Sequence, residues 1–383
     1  MSWQRVGLLV VLLASSFAFA VWGFYAHREI NRLAVYTLPD RLAGFYKDNI
    51  TFVSAHAVDP DKRRYAASLE GPRHYIDLER FGGSMNALPT EFPAFHRQFT
   101  TLYCVNGQDS TELVYRNGHL VAGRDSAAMR SYEFDKWYRD QVFPAYRREL
   151  VKLDYVPPTE AAPGCERLGL VDTMMEHGVL PYHLVDMQRW LTIAFRQNQL
   201  DRALQLSAEI GHYIGDATVP LHTTVNYNGQ LTGQRGIHAF WESRIPELFA
   251  EDEFDVLVGA ASYIEDKPAF YRGLVRTSHE HVDSVLLIEA DLRAKLPEEV
   301  QDCYEERLGR VVRVPCRQFA RAYYERLDGM VEARFRTAIR AVGSAWLTAW
   351  IDAGRPTLGG DYTALLEPAD TIVRRPHLDG REH

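Results

Sequence analysis

The length, composition and charge of the chain are those of a globular protein. It has 383 residues, of which 46% are hydrophobic and 25% are charged, and its formal net charge is −8. These values exclude a disordered or collagen-like chain. The acidic balance argues against a protein that tracks long nucleic acids, because such proteins usually present a basic surface. After the first twenty residues, no apolar run is long enough to span a membrane.

The N-terminus has the pattern of a secretory signal. Arg5 supplies the positive charge, residues 6–14 are apolar, and Ala18-Phe19-Ala20 suits a small-residue cleavage site. We therefore predict a signal peptide at residues 1–21 and an exported protein, either periplasmic or secreted. An uncleaved membrane anchor is the alternative, although the apolar stretch is short for a span.

Four cysteines are present, which is an even number and permits two disulfides in an exported protein. Cys303 and Cys316 are the closest pair along the chain. Free buried thiols remain an open alternative. No CxxC spacing occurs, which argues against zinc held by cysteine.

Helical periodicity dominates the chain and predicts an all-α fold. Apolar residues recur at helical spacing over residues 27–38, 183–197, 200–217, 268–296 and 317–352. The length allows two domains without requiring them. We predict one domain over residues 22–353 and a loose C-terminal tail over residues 354–383.

The stretch from about residue 80 to 170 differs from the rest. It is rich in glycine, proline and polar residues, and we interpret it as an irregular insertion between helices. Within it, residues 111–116 and 119–122 flank Asn117-Gly118. Because Asn-Gly suits a tight type I′ turn, this pattern predicts a β-hairpin.

The strongest chemical signal lies between residues 209 and 247. His212 and Asp216 are four residues apart on a predicted helix, His222 follows a Pro-Leu break, and His238 and Glu242 repeat the four-residue spacing. This spacing places both side chains of a pair on one helix face. A single pair is often a surface contact, but two pairs and a further histidine indicate an open zinc site of nitrogen and oxygen ligands.

The order of motifs along the chain resembles the superfamily of zinc-dependent phospholipases C and single-strand-specific nucleases of the S-one and P-one type. The matching motifs are WGFYAH at residues 22–27, an aspartate at residue 59, HYID at residues 74–77, and the motifs at residues 212–242. The resemblance implies a helical bundle around a cleft that holds three zinc ions. It assigns Asp59, His74, His212 and Asp216 to one zinc, Trp22, His27 and the bridging Asp216 to a second, and His222, His238 and Glu242 to the third.

Alternatives to three of these ligands stay open. His56 competes with His74, and Asp61 competes with Asp59. Trp22 can bind through its amino group only if the mature chain begins there, whereas cleavage after Ala20 would leave Val21 in front of it.

The resemblance points in two directions on substrate. Glu242 matches the phospholipases, since the nucleases have aspartate there. Tyr75 and Asp77 in HYID are similar to nuclease residues that hold a base, although Tyr75 could equally be a packed aromatic side chain. The basic run Lys62-Arg63-Arg64 is either ordinary surface or a phosphate contact.

These observations predict a phospholipase C-like hydrolase of phosphoester bonds. Two close zinc ions could share a hydroxide that attacks phosphorus, and the third could neutralise the leaving oxygen. By resemblance, Asp59 would orient or deprotonate the attacking water. The expected partner is a phospholipid or small phosphodiester, with transient contact to a membrane surface and no protein partner. A single-strand-specific endonuclease is the nearest alternative, and a non-catalytic, zinc-stabilised helical protein is the alternative from another class.

Overall fold

A computed structural model describes most of the chain between residues 24 and 359. The described ranges are 24–64, 66–67, 70–116, 119–122, 131–145, 154–157, 164–171, 175–307 and 309–359. The predicted signal peptide, Trp22 and the tail beyond residue 359 lie outside the described residues, as does the Asn117-Gly118 turn.

The fold is mostly helical, which confirms the helical character predicted from the periodicity. The helices are α1 (Phe24–Ala34), α2 (Asp40–Asp48), α3 (Ile50–Ala55), α4 (Asp59–Arg64), α5 (Phe92–Phe99), α6 (Ser131–Trp137), α7 (Leu180–Arg196), α8 (Leu200–Thr218), α9 (Ile237–Ala239), α10 (Ile245–Glu253), α11 (Lys267–His279), α12 (Val282–Lys295), α13 (Arg317–Arg326) and α14 (Met330–Asp352). A π-helical turn, Phe240–Arg244, joins α9 to α10.

Helices α1, α7, α8 and α14 pack together around the main hydrophobic core. At its centre the indole of Trp346 lies parallel to the ring of Tyr46, with 4.3 Å between centroids. The indole N–H of Trp346 donates to the carbonyl of Ser207, so this large side chain is buried without an unsatisfied donor. Most of α8 is buried on all sides, which makes it the central helix of the bundle.

Two long helices predicted from the sequence are each broken into two. The stretch 268–296 turns between α11 and α12, and the stretch 317–352 turns between α13 and α14. At the second break Asp328 and Gly329 have φ of 49° and 75°. A helix cannot continue through positive φ, and glycine adopts it at little cost. The apolar spacing runs on across both turns, which is why periodicity alone did not separate the helices.

The predicted irregular insertion instead folds around a five-stranded antiparallel sheet, so that part of the prediction was wrong. Strands β1 (Thr101–Asn106), β2 (Asp109–Arg116), β3 (His119–Ala122), β4 (Asp154–Tyr155) and β5 (Arg167–Val171) lie in the order β3-β2-β1-β5-β4. The hairpin predicted from Asn117-Gly118 is confirmed as the β2–β3 pair. This sheet and α6 enclose a small second core.

All four cysteines are paired. Cys104 on β1 is bonded to Cys165, which lies two residues before β5. A second hairpin is formed by β6 (Asp302–Arg307) and β7 (Arg310–Pro315), and its Cys303 is bonded to Cys316, which directly follows β7. This hairpin was not predicted, although the valines of β7 and Gly309, at φ 73°, carry a hairpin signal.

Among the described residues, no helix is both long and apolar enough to cross a membrane. The first residues of the predicted tail pack against α14, where the indole N–H of Trp350 donates to the carbonyl of Pro356.

Candidate metal centre

Helix α8 carries two of the predicted ligands on one face. His212 and Asp216 are four residues apart and almost fully buried, with exposed fractions of 0% and 1%. The helix ends at Thr218 because Val219, which precedes Pro220, is held in an extended conformation. The chain then forms a 3₁₀ turn, Pro220–Thr223, that turns His222 back toward the same face.

His238 and Glu242 come from the short helix α9 and the π turn that follows it. Gly236, at φ 98°, precedes the helix and reverses the chain there. Both side chains are buried, and His238 Nε2 lies 2.7 Å from Glu242 Oε2. Single π turns within α-helices often occur at functional sites, because they re-aim side chains that a regular helix would direct elsewhere.

Two glycines of α8, Gly211 and Gly215, allow α1 to bring His27 close to the ligand face of α8. A Cβ at Gly215 would lie 2.7 Å from His27 Nδ1, and a Cβ at Gly211 would lie 1.8 Å from Asn31 Oδ1. Real Cβ contacts are never this short, so only glycine allows the two helices to approach so closely. The two glycines thus make room for the side chains of His27 and Asn31.

Asp61 and His74 complete the group from the chain preceding the insertion. His74 Nδ1 lies 2.9 Å from Asp216 Oδ2 and 3.0 Å from His212 Nε2. Asp61 Oδ1 lies 3.6 Å from His212 Nε2.

Asp59 and His56 lie apart from this group. The Asp59 carboxylate accepts hydrogen bonds from His56 Nδ1 and from Lys62, at 2.5 Å and 2.9 Å. The ring of His56 stacks on Phe52. Since successive helical residues point about 100° apart, Asp59 and Asp61 on α4 face different sides, and Asp61 is the one that reaches His74 and His212.

The structure therefore contains three groups of side chains that could hold a metal ion, each with donor atoms within 4.8 Å of one another. We name them the His27 set (His27, His212 and Asp216), the Asp61 set (Asp61, His74 and His212) and the Glu242 set (His222, His238 and Glu242).

The three sets are joined through Asp216. One of its oxygens, Oδ1, lies 3.4 Å from His27 Nε2 and 3.7 Å from His222 Nε2, while Oδ2 faces His74 and His212. His27 Nε2 is also 3.1 Å from Glu242 Oε1. One carboxylate therefore faces all three sets, as a bridging ligand would.

The donor atoms suit metal ions better than hydrogen bonds. His222 donates from Nδ1 to the carbonyl of His74, and His238 donates from Nδ1 to the carbonyl of Tyr227. In the neutral rings Nε2 then carries only a lone pair, yet both Nε2 atoms face Glu242. Tetrahedral zinc would separate its ligand atoms by about 3.3 Å, which is close to the observed distances.

Burial disfavours protonation of these histidines, so bound protons would not supply the positive charge that the centre needs. It lowers the pKa of His222 and holds the pKa of His212 well below its usual range, with the nearby His27 adding to the effect on His212. Burial and the neighbouring carboxylates Glu242 and Asp61 raise the pKa of Asp216 well above that of an ordinary aspartate. Carboxylates collected in a buried site need a compensating charge, which divalent metal ions would supply.

Comparison with models of known protein families gives no match for this sequence, and a search among curated proteins gives none either. The interpretation of the centre therefore depends on its own geometry and on the resemblance of its motifs.

The two predicted substrate-binding residues are buried beside the centre. Tyr75 is 3% exposed, and its hydroxyl donates to the carbonyl of Glu176. Asp77 is 1% exposed and lies 3.3 Å from His177 Nδ1. Sequence reasoning passed over Glu70, which lies behind His74. Glu70 precedes His74 by four residues, and this spacing could have indicated it from the sequence.

Proposed function

We propose that this protein is a zinc-dependent hydrolase of phosphoester bonds with a helical bundle of the phospholipase C and nuclease type. The observation that carries the proposal is the meeting of three donor sets at Asp216, all buried except for Asp61 at the edge. Structural zinc sites are closed by four protein ligands each, whereas the three sets together contain only eight residues, because His212 belongs to two of them. Open coordination positions favour catalysis over a purely structural role.

Three zinc ions would occupy the His27, Asp61 and Glu242 sets, with Asp216 as the shared ligand. We assign Asp61 rather than Asp59 as the acidic ligand, because Asp59 is bonded to His56 and Lys62 instead. The role of Trp22 as a ligand through its amino group stays a prediction.

Bound zinc would supply a water of lowered pKa and positive charge for the leaving oxygen. Substrate can approach the centre from the side of Asp61, which is 21% exposed. Arg64 lies 3.5 Å from Asp61 and is 17% exposed, whereas the histidine ligands are almost fully buried. The guanidinium of Arg64 at this edge is suited to bind the phosphoryl oxygens. Its neighbours Lys62 and Arg63 pair with Asp59 and with glutamates outside the sets.

A phospholipid or small phosphodiester is the proposed substrate. Burial of Tyr75 and its hydrogen bond to Glu176 support this choice, because a base-stacking role requires an accessible ring face. The net charge of −8 points the same way. An exported location is part of the proposal and is supported by the two disulfides, which persist in oxidising compartments. Transient contact with a membrane surface would follow from a lipid substrate.

The test compares substrates at matched enzyme concentration. Zinc-loaded protein is given phosphatidylcholine in mixed micelles and, separately, single-stranded DNA and RNA. We expect release of phosphocholine from the lipid and little cutting of nucleic acid. Asp216→Asn should abolish the activity, because it removes the shared ligand. His56→Gln, which changes a histidine outside the sets, should retain it.

Rapid cutting of nucleic acid without hydrolysis of the lipid would contradict the phospholipase hypothesis. If Tyr75→Ala also abolished that cutting, the nuclease hypothesis would take its place. Zinc binding without hydrolysis of any phosphoester would indicate the non-catalytic alternative.

A further inference from the structure

We propose that Arg63 is a positioning residue that holds the Asp61 set in its metal-binding geometry by joining two buried glutamates. The inference rests on the proposed zinc centre and goes beyond its ligands. Arg63 Nη1 donates to Glu209 Oε1 at 2.7 Å, and Nη2 donates to Glu70 Oε1 at 3.3 Å. Neither glutamate belongs to a donor set, and both are almost fully buried.

Glu70 lies directly behind the imidazole of His74. Its Oε1 is 3.9 Å from His74 Nε2, while the other ring nitrogen, Nδ1, faces Asp216 and His212. Histidines that bind metals usually direct their second nitrogen toward a carboxylate or carbonyl, which fixes the ring and makes it a stronger ligand. At 3.9 Å the Glu70 carboxylate faces that second nitrogen without a hydrogen bond to it, and it acts on the ring through its charge.

Glu70 is itself held by several donors. Besides Arg63, it accepts hydrogen bonds from Arg73 Nη1, at 2.9 Å, and from the hydroxyl of Tyr213. Tyr213 follows the ligand His212 in the chain, and its ring lies 5.2 Å from that of His74. The carboxylate therefore has little freedom to move away from His74.

The guanidinium of Arg63 also connects the three chain segments that supply the Asp61 set. Arg63 is two residues after Asp61 on α4, Glu70 is four residues before His74, and Glu209 is three residues before His212 on α8. A single side chain thus fixes the positions of three ligands relative to one another. No contact of this network reaches His222, His238 or Glu242 among the described residues.

This arrangement predicts a selective effect. Without Arg63, two buried carboxylates lose their shared cation, and α4 and the His74 turn lose their connection to α8. Changes in residues that orient metal ligands typically weaken metal binding by about 10-fold to 100-fold. We expect that loss at the Asp61 set and unchanged affinity at the Glu242 set.

The experiment titrates Co²⁺ into metal-free full-length protein and follows its visible absorption, with zinc content measured in parallel. Arg63→Met and Glu70→Gln should each weaken binding at the Asp61 set by about 10-fold to 100-fold and leave the Glu242 set unchanged. Arg63→Lys should restore part of the affinity, since it keeps a cation. Hydrolysis lost in these variants should return at saturating zinc, which a merely structural defect would not allow.

Arg293→Met is the matched control. Arg293 is 32% exposed against 35% for Arg63, and it pairs with Glu289, which like Glu70 is 2% exposed. The control should lose thermal stability but keep all metal sites. Equal Co²⁺ affinities in wild type, Arg63→Met and Glu70→Gln, with folding verified by circular dichroism, would overturn the inference. Absence of metal binding in the wild type would instead overturn the proposed function.

Discussion

At the scale of single residues, the centre depends on which side of a short helix a carboxylate faces. Asp59 and Asp61 are both exposed in part and both lie on α4, yet only Asp61 reaches the buried histidines. The sequence could not decide which of the two aspartates is the ligand, because nothing in the run AVDPDK fixes how the helix is rotated about its axis. That rotation comes from packing of the neighbouring turn against α1 and α8.

The two aspartates should therefore respond differently to neutral substitution. Asp61→Asn removes a charged donor from the Asp61 set and should reduce the zinc content by about one ion per chain. Among the residues that the structure describes, the Asp59 carboxylate contacts His56 and Lys62, so Asp59→Asn should leave the zinc content unchanged. Elemental analysis of the two purified variants decides the matter, and equal losses would contradict the assignment.

Substitution of Gly215 should weaken metal binding as substitution of a ligand would, although glycine has no side chain. In Gly215→Ala the new methyl group would lie 2.7 Å from His27 Nδ1 and 2.9 Å from Cε1, so the imidazole must move off Asp216. We expect weaker zinc binding at the His27 set, by about 10-fold or more.

A second glycine provides the control. Gly273 lies in helix α11 with open space where a Cβ would be. Gly273→Ala should keep all the zinc and stabilise the fold by about 0.5–1 kcal/mol, because alanine favours helices over glycine. Thermal unfolding and zinc content measured on both variants test the pair, and full zinc affinity in Gly215→Ala would count against the close approach of α1 and α8.

At the scale of secondary-structure elements, the sequence predicted the helices that carry the ligands and failed where tertiary context decides. The HxxxD and HxxxE spacings are local, and they bring each pair together in α8 and across α9 and its π turn. The breaks after α11 and α13 interrupt no hydrophobic stripe, so periodicity could not show them. The five-stranded sheet was missed because its two ends are joined by the β1–β5 pairing, which connects strands some sixty residues apart and leaves no local signal.

The junction between this sheet and the helical core should be sensitive to acid through His96. His96 lies on α5, fully buried between Phe92 and Phe143, with Nδ1 2.5 Å from the hydroxyl of Tyr138. Burial lowers the pKa of His96 to about 3. In the unfolded chain an ordinary histidine titrates near pH 6.5, so below that pH the unfolded state binds a proton that the folded state does not.

The His96 contribution is therefore fully present above about pH 6.5 and is lost as the pH falls toward 3, by at most about 1.4 kcal/mol per pH unit. In His96→Gln this loss should disappear. Urea unfolding of both proteins from about pH 7 to pH 5 gives the difference. A chelator keeps metal binding out of the comparison, and the titration of the remaining histidines is common to both proteins. Parallel stability curves would show that His96 does not titrate on unfolding.

At the scale of the whole molecule, the fold collects charges that it cannot satisfy with its own side chains. Asp216, Glu242 and five histidines meet in the centre of the helical bundle with almost no exposure to water. Burial and its neighbours raise the pKa of Asp216. Burial would raise the pKa of Glu242 as well, but the close imidazoles of His222, His238 and His27 outweigh it and hold that pKa well below its usual range. Such a cluster is stable when cations bind within it. The chain therefore should depend on metal for stability as well as for activity.

The central claim is that three donor sets meeting at Asp216 each hold a zinc ion, and the zinc content of the purified protein tests it most directly. Elemental analysis should give about three zinc ions per chain in the wild type. His238→Gln should lose about one, since it changes a single set, whereas Asp216→Asn should lose two or more. A wild-type protein that hydrolyses phosphoesters with less than one zinc per chain, or equal losses in the two variants, would contradict the account.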